Sequence, residues 1–301
     1  MSEFYRAFED RFRGSRDLIL GRLEQYSELV CAVCKAEVDC TALDLGCGRG
    51  EWLELMQRLG IHASGCDLDE EMLRDARRLG LDVVADDAVS VLRGVSDQSL
   101  SIVSAFHLVE HLEHTDLRVV VDEAFRVIKP GGIIILETPN PESILVHGNF
   151  FTDPTHVKPL PPELLRFVVE FAGFAPASIW RMQENPRLRE RVIGLWDVIH
   201  EVSPDYSIVG RKPAHPDATR DDIDDLVTAP RGIAVSEAAS LFDACVDETI
   251  AELRQQVTDF RQQLNELHAT VHVQATAISK LEEARDKRLH RRIKRFFKGR
   301  L

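Results

Sequence analysis

The chain has 301 residues and a formal net charge of −13, with 44% hydrophobic and 29% charged residues. That size and balance suit a soluble globular protein of one large domain with an extension, or of two modest domains. The negative charge gives no general attraction to nucleic acid, and no apolar run approaches the roughly 18 residues of a membrane span, so neither a nucleic-acid partner nor a transmembrane anchor is expected.

Residues 1–40 read as an N-terminal helical cap, with Phe4, Phe8, Leu18, Leu20, Leu23 and Leu29 spaced among polar residues. The first ten residues lack the basic and apolar regions of a secretory signal, and the six scattered cysteines point to a reduced, cytoplasmic protein. Cys31 and Cys34, with Cys40 following, have a metal-like spacing. One CxxC without a second pair or a histidine cluster is weak evidence for zinc, and no metal is expected. Over residues 41–213, strand-like apolar runs alternate with helix-like patterns. This predicts an α/β domain of Rossmann-like type, a doubly wound and mostly parallel sheet covered by helices. The clearest strands are residues 42–45, 64–67, 81–85, 101–106 and 132–137. The almost wholly β-branched run 133–136 fits a strand buried on both faces. Residues 206–211 read as a closing edge strand. Residues 214–231, rich in Pro, Asp and Ala around DDIDD, read as a solvated linker.

The first strand runs into DLGCGRG, beginning at Asp44, and a helix starts near Glu51. Gly46, Gly48 and Gly50 let the backbone turn sharply and let a ligand approach without meeting a side chain. A dinucleotide fold wants its third glycine where this chain has Glu51. Asp44 at the loop entrance would repel a pyrophosphate and suits an ammonium group. Asp67, 21 residues after Gly46, ends the second strand where an acid can accept both ribose hydroxyls. Asp87, after the third strand, is placed for an adenine amino group, with Leu68 and Ala88 completing the cofactor contacts. Handles for an amine, a ribose and an adenine, in that order, describe S-adenosylmethionine.

The segments DLGCGRGEWLELM, GCDLDEEML, VVADDA, IVSAFHLVEHL and RVIKPGGIIILETPNP resemble successive motifs of class I S-adenosylmethionine-dependent methyltransferases, over roughly residues 41–212. More narrowly, FYRAFEDRFRGSRDLI and NFFTDPTHVKPLPPELL look like the bacterial O-antigen chain-terminating methyltransferases. That resemblance implies methylation of the terminal sugar of a growing polysaccharide. Some such proteins also carry a kinase domain. None is expected here, for no kinase signature is visible.

Methyl transfer from a sulfonium is an in-line displacement, and a hydroxyl acceptor needs a base beside it. In open α/β sheets the ligand crevice lies beyond the carboxyl ends of the strands. His107, Glu110 and His111 follow the fourth strand there, and Glu137, Asn140, Asn149, Asp153 and His156 follow the fifth. His111 or His156 is expected to be the base, with Asp153 or Glu110 orienting its imidazole. The plainer alternative has Glu110 and His111 capping the next helix and Asp153 organising a turn before Pro154. His107 is expected at the methionine end of the cofactor, or simply packed. Arg13 or Arg16 could reach the cofactor carboxylate, or be solvated arginines of a cover helix.

From Val246 to Leu281, apolar residues fill ten of eleven positions in an alternating four-three spacing, broken only at Gln274. Sustained over five heptads, this predicts a coiled coil within residues 232–284, about 54 Å long over the seam. Ile250, Val257, Leu264, Val271 and Ile278 at a, with mainly leucine at d, favour a parallel homodimer and leave a trimer open. Residues 285–301 carry nine Lys/Arg against the single acid Asp286, which leaves −21 on the rest of the chain. Leu289, Ile293, Phe296 and Phe297 share one face of this basic tail, as in a helix lying on an anionic membrane surface. The whole reads as a cytoplasmic, oligomeric enzyme, peripheral at the inner membrane face, that O-methylates a lipid-linked glycan. The rivals are a small-molecule or quinone methyltransferase, and a coiled-coil scaffold that recruits a glycosyltransferase.

Overall fold

A computed structural model describes residues 11, 14–37, 39–189, 193–214 and 221–298. The chain divides by its internal contacts into two units, Met1–Phe242 and Asp243–Leu301.

The first unit is built on a seven-stranded sheet: β1 Thr41–Leu45, β2 His62–Asp67, β3 Asp82–Ala85, β4 Leu100–Phe106, β5 Ile128–Pro139, β6 Ala177–Met182 and β7 Asp205–Arg211. Its order is β3-β2-β1-β4-β5-β7-β6. Five strands run parallel, while β7 pairs antiparallel with both β5 and β6. The order reverses between β1 and β4, which opens the ligand crevice at their carboxyl ends. Residues 206–211 therefore form an interior strand with every residue buried, and not the edge expected from the sequence. The edge on that side is β6, whose sequence ASIWRM mixes apolar and polar residues without a continuous apolar run.

Alternation along each strand sends side chains to opposite faces. Leu43, Val103, Ala105, Ile134 and Leu136 join one apolar cluster, while Ala42, Ile102, Ile133 and Ile135 join another. The unbroken run Ile133 to Leu136 is thus fully buried because both faces are covered. Helix α6, His114–Val127, buries Leu117, Val120, Val121, Ala124 and Val127 on the first face, at the spacing of one helical stripe. Its N-cap is Glu113, so Glu110 and His111 do not cap it. They lie in a separate 3-10 turn.

The second face is covered by α1 Arg16–Leu23, α2 Ser27–Lys35, α3 Glu51–Arg58 and α10 Asp222–Thr228. The remaining helices are α4 Glu70–Arg78, α5 Ala88–Gly94, α7 Ile144–Asn149, α8 Pro162–Phe171 and α9 Leu195–His200. Leu20, Leu23 and Leu29 are buried in the cap as expected, whereas Leu18 is 49% exposed on the outer side of α1. Cys34 is bonded to Cys40, which joins the end of α2 to the start of β1. This differs from the reduced state expected, and the CxxC spacing holds no pair, since Cys31 is free.

Within the stretch expected as a linker, α10 packs Ile223 and Val227 into the core. Arg211 Nη1 donates to Asp221 Oδ1 at 2.5 Å and to Asp224 Oδ1 at 2.8 Å, and Trp180 Nε1 donates to the Val227 carbonyl at 2.9 Å. Two of the four aspartates that suggested solvation, Asp221 and Asp224, are therefore partners of one buried arginine.

Helix α11, Val235–Lys298, buries Ala238 near its start. In the second unit the heptad seam from Val246 to Leu281 is exposed along its length, as the face of a coiled coil is in one strand alone. Among the described residues no helix is long and apolar enough to cross a membrane. Leu289 and Ile293 are exposed, and the side chains of Phe296 and Phe297 lie outside the described residues.

Candidate active site

The loop after β1 takes its shape from two glycines. Gly46 has φ +67°, and a Cβ there would lie 3.1 Å from the Leu108 side chain. Gly50 has φ +79°, and a Cβ would lie 2.8 Å from Leu81 Cδ1. Both positions need left-handed backbone and leave no room for a side chain. Asp44, buried at the loop entrance, accepts a hydrogen bond from Ser104 Oγ at 2.7 Å. Asp67 accepts from the Gly48 amide at 2.9 Å and the Asp69 amide at 2.8 Å, so one carboxylate fixes the loop and the start of α4. Asp87 caps α5 by accepting from the Ser90 amide at 2.9 Å, and hydrogen bonds from Ser90 hold its carboxyl below the usual range. Leu68 is 78% exposed and Ala88 half-buried beside these carboxylates.

Asp44, Gly46 and His107 open onto a cavity of about 550 Å³, which His111, Asp153 and His156 line from the other side. Gly48, Gly50, Asp67, Leu68, Asp87 and Ala88 do not line it. They follow the same sheet edge outward, where Asp67 pairs with Ala85 of the neighbouring strand. Arg16 donates to Glu54 at 2.7 Å and to the Arg49 carbonyl at 2.9 Å, so it braces α3 and does not point to a cofactor carboxylate. Arg13 lies outside the described residues. Among the described residues, the arginine that reaches the cavity is Arg22.

Two imidazoles face each other across 4.8 Å, those of His111 and His156. His156 Nδ1 lies 2.6 Å from the Phe150 carbonyl. A carbonyl only accepts, so Nδ1 carries the hydrogen and Nε2 of the neutral ring keeps its lone pair. The Thr155 hydroxyl donates to Asp153 Oδ1 at 2.6 Å, and His111 Nδ1 lies 2.9 Å from that hydroxyl oxygen. With its hydrogen committed to Asp153, the hydroxyl accepts from His111 Nδ1, which again leaves Nε2 as the basic nitrogen. Asp153 thus orients His111 through Thr155. It also accepts from the Thr155 amide at 2.8 Å, so the turn before the cavity and the orienting role are one arrangement. His156 Nε2 lies 3.9 Å from Asp153 Oδ2 and 4.0 Å from Glu110 Oε1.

Below this pair lies a buried polar network. Glu110 is fully buried and accepts from Thr138 Oγ1 at 2.9 Å. His107, at φ 55°, stands among Glu110, Glu137 and Asp205 at 3.3, 3.6 and 3.9 Å. Burial works against its charged form, but the surrounding Glu110, Glu137 and Asp205 carboxylates outweigh that and lift its pKa well above the ordinary value. Burial, reinforced by Glu137 and opposed by His107, pushes Asp205 up to about 6. Tyr26 donates to Glu137 Oε2 at 2.5 Å and touches the Ser207 hydroxyl, and burial beside Glu137 pushes the phenol well above its usual pKa. Among the described residues, two donor sets could hold a metal ion, Glu110–His111–His156 and His107–Glu137–Asp205.

Tyr26, Thr155, Gln183 and Asp205 were not anticipated from the sequence. Asp205 had a usable signal: it immediately precedes an expected strand. An antiparallel strand enters the sheet where its parallel neighbours leave, so its first residue joins their carboxyl ends. Tyr26 arrives from a separate helical segment and had no such marker.

A strand-order switch, a glycine loop, and acids at the carboxyl ends of β1, β2 and β3 define a nucleotide-cofactor site of the class I methyltransferase kind. A family model described as a methyltransferase domain matches residues 43–136. The chain is similar to a solved S-adenosylmethionine-dependent methyltransferase from Archaeoglobus fulgidus, at 32% identity and a TM-score of 0.62, covering 69% of this chain and all of that one. It is 28% identical over 190 residues to the ubiquinone biosynthesis O-methyltransferase of Ralstonia nicotianae, covering 58% of this chain and 77% of the relative. It is also 30% identical over 134 residues to a probable S-adenosylmethionine-dependent methyltransferase of Mycolicibacterium smegmatis, of which it spans about half, 51%. The chain belongs to the S-adenosylmethionine-dependent methyltransferases. The side-chain-free cradle at Gly46 and the buried Asp44 fit that cofactor, with S-adenosylmethionine as methyl donor.

Proposed function

We propose that the protein is an O-methyltransferase whose acceptor is a hydroxyl of the terminal sugar of a lipid-linked polysaccharide. The observation that carries the O-methyl reading is the His111–His156 pair, each ring with its Nδ1 hydrogen committed and its Nε2 left to accept a proton. S-adenosylmethionine supplies the sulfonium methyl group. Asp44 and the Gly46 turn hold the amino-acid end of that donor, Asp67 the ribose and Asp87 the adenine. His107 borders the same end of the cavity. His111 or His156 takes the hydroxyl proton as the oxygen attacks, and Asp153 keeps the His111 ring in place through Thr155.

The sugar reading is supported by the segments that resemble chain-terminating enzymes, for both contribute to the cavity: Ile19 ends the first, and Asn149, Phe150, Thr152 and His156 belong to the second. A second reading, a phenolic hydroxyl of a quinone precursor, is favoured by the name of the Ralstonia relative. Labelled S-adenosylmethionine offered with a lipid-linked glycan and, separately, with a polyprenylated catechol distinguishes them. Label on the glycan supports the proposal. Label only on the catechol replaces it, and label on neither, in a protein that binds the donor, removes both.

We infer further that the exposed seam pairs with a second copy of the chain, since a strict heptad repeat specifies a partner of equal pitch. The basic end of α11 suits an anionic membrane surface, where a lipid-linked acceptor and a glycosyltransferase partner would be met.

A further inference from the structure

Beyond the imidazole pair, the cavity wall carries donors that have no evident use in proton transfer. His107 Nε2 lies 3.6 Å from Glu137 Oε1 and 3.9 Å from Asp205 Oδ1. Both separations are too long for an N–H···O hydrogen bond. They approach the spacing of roughly 3.0–3.6 Å between neighbouring ligands of a cation bound at about 2.0–2.2 Å.

On the far side of the same ring, Nδ1 faces Glu110 Oε1 at 3.3 Å. The Glu110 side chain is fully buried, and this oxygen accepts no hydrogen bond. Metal-binding histidines characteristically turn their outer nitrogen to a carboxylate, which keeps the hydrogen there and presents the other nitrogen's lone pair to the metal. With the ring so arranged, one imidazole nitrogen and two carboxylate oxygens converge on a single point. Gln183 adds a buried Oε1 without a hydrogen-bond partner, while its Nε2 donates to Glu137 Oε1 at 3.5 Å. Among the described residues only three that are not glycine have positive φ, and two of them, His107 at 55° and Gln183 at 64°, stand at this point. Backbone held in that region by its surroundings marks a place where side-chain direction matters more than local comfort.

We propose that His107, Glu137 and Asp205 hold a divalent first-row cation such as Mn²⁺ or Zn²⁺, with Gln183 as a further oxygen donor and Glu110 positioning the imidazole. One nitrogen among carboxylate oxygens suits these ions better than a thiolate-seeking or purely oxygen-seeking metal. The ligands leave the cavity side open. Cation binding requires neither the methyl donor nor an acceptor, so the proposal stands whatever the acceptor proves to be.

The test uses the full chain, freed of metal with a chelator and dialysed. Mn²⁺ is titrated with the free ion followed by electron paramagnetic resonance, and Zn²⁺ by calorimetry. One saturable site per chain is expected, lost in Asp205→Asn and weakened about 10–100-fold in Glu110→Gln. His111→Gln/His156→Gln should leave it within about twofold, because that pair belongs to the other donor set. Glu137→Gln replaces Asp205→Asn if circular dichroism shows the latter misfolded. No saturable binding by the folded wild type overturns the proposal and leaves His107 as a protonated ion-pair partner. Binding that survives the Asp205 or Glu137 change, or that is lost only in the double histidine variant, overturns it equally.

Discussion

Replacing Asp67 by alanine removes the acceptor expected for the ribose hydroxyls and, with it, the contacts to the Gly48 and Asp69 amides. Two hydrogen bonds to a charged group are each worth about 1.5–3 kcal/mol. Asp67→Ala should therefore weaken S-adenosylmethionine binding by about 100-fold or more in calorimetry. Unchanged affinity would remove the carboxylate from the cofactor site. The two histidines separate by kinetics: alanine at the true base should lower kcat by about 10²–10⁴, with little change in KM for the donor. Thr155→Val bears on His111, because it breaks the link through which Asp153 sets that ring. A kcat unaffected by Thr155→Val but lost in His156→Ala assigns the base to His156. The sequence brought both histidines into view because each follows a strand. Their tautomers were not legible there, since these depend on a backbone carbonyl and a threonine hydroxyl that only the folded loop presents.

At the scale of elements, α10 is attached by ion pairs as well as by its buried apolar side chains. Arg211 is buried, Asp221 half-exposed, and their contact holds the Asp221 carboxyl below its usual range. A group with a depressed folded pKa contributes stability above its unfolded pKa, and loses that contribution as pH falls through the folded value. The contribution from Asp221 is therefore complete above about pH 4 and fades at lower pH. Asp221→Asn should cost about 1 kcal/mol near neutral pH, discounted for exposure, and should flatten the acid limb of a stability curve read by Trp180 fluorescence. An unchanged acid limb would show that Asp224 alone carries the attachment. The error over this segment is instructive. DDIDD has the composition of a linker, and its alternative use depended on a buried arginine ten residues earlier. The middle of the sheet, by contrast, was legible because burial on both faces demands apolar runs such as Ile133 to Leu136 of β5. The edge strand β6, half-buried, lacked them.

For the whole molecule, the decisive property is whether α11 is a surface waiting for a copy of itself. Sedimentation of the full chain should give a dimer, or a trimer, that dissociates when Leu264→Lys and Leu267→Lys place charge in the seam. Donor affinity should not change, because both positions lie in the second unit, apart from the cavity residues. A wild-type monomer at about 10 μM would rule out a coiled coil of the stability that five heptads normally give. The periodicity was readable from the sequence alone because an exposed seam has no other duty. The cavity was readable only in its cofactor half, where chain-local motifs supply the groups. Its acceptor half is assembled from the cap, the β5 loop and β7.

Tyr26 belongs to that second half, and it meets Glu137 and Ser207 across 111 and 181 residues of chain. At ribosomal speeds of roughly 5–20 residues per second, Ser207 emerges roughly 9–36 s after Tyr26. Throughout that interval Leu20, Leu23, Leu29, Val30 and Val33 have no finished sheet to cover. The cap is synthesised before the sheet it covers and is among the last parts to dock. Nascent chains caught before β7 should then be the species most prone to stick to one another, and the cap helices the segment a holding chaperone would grip.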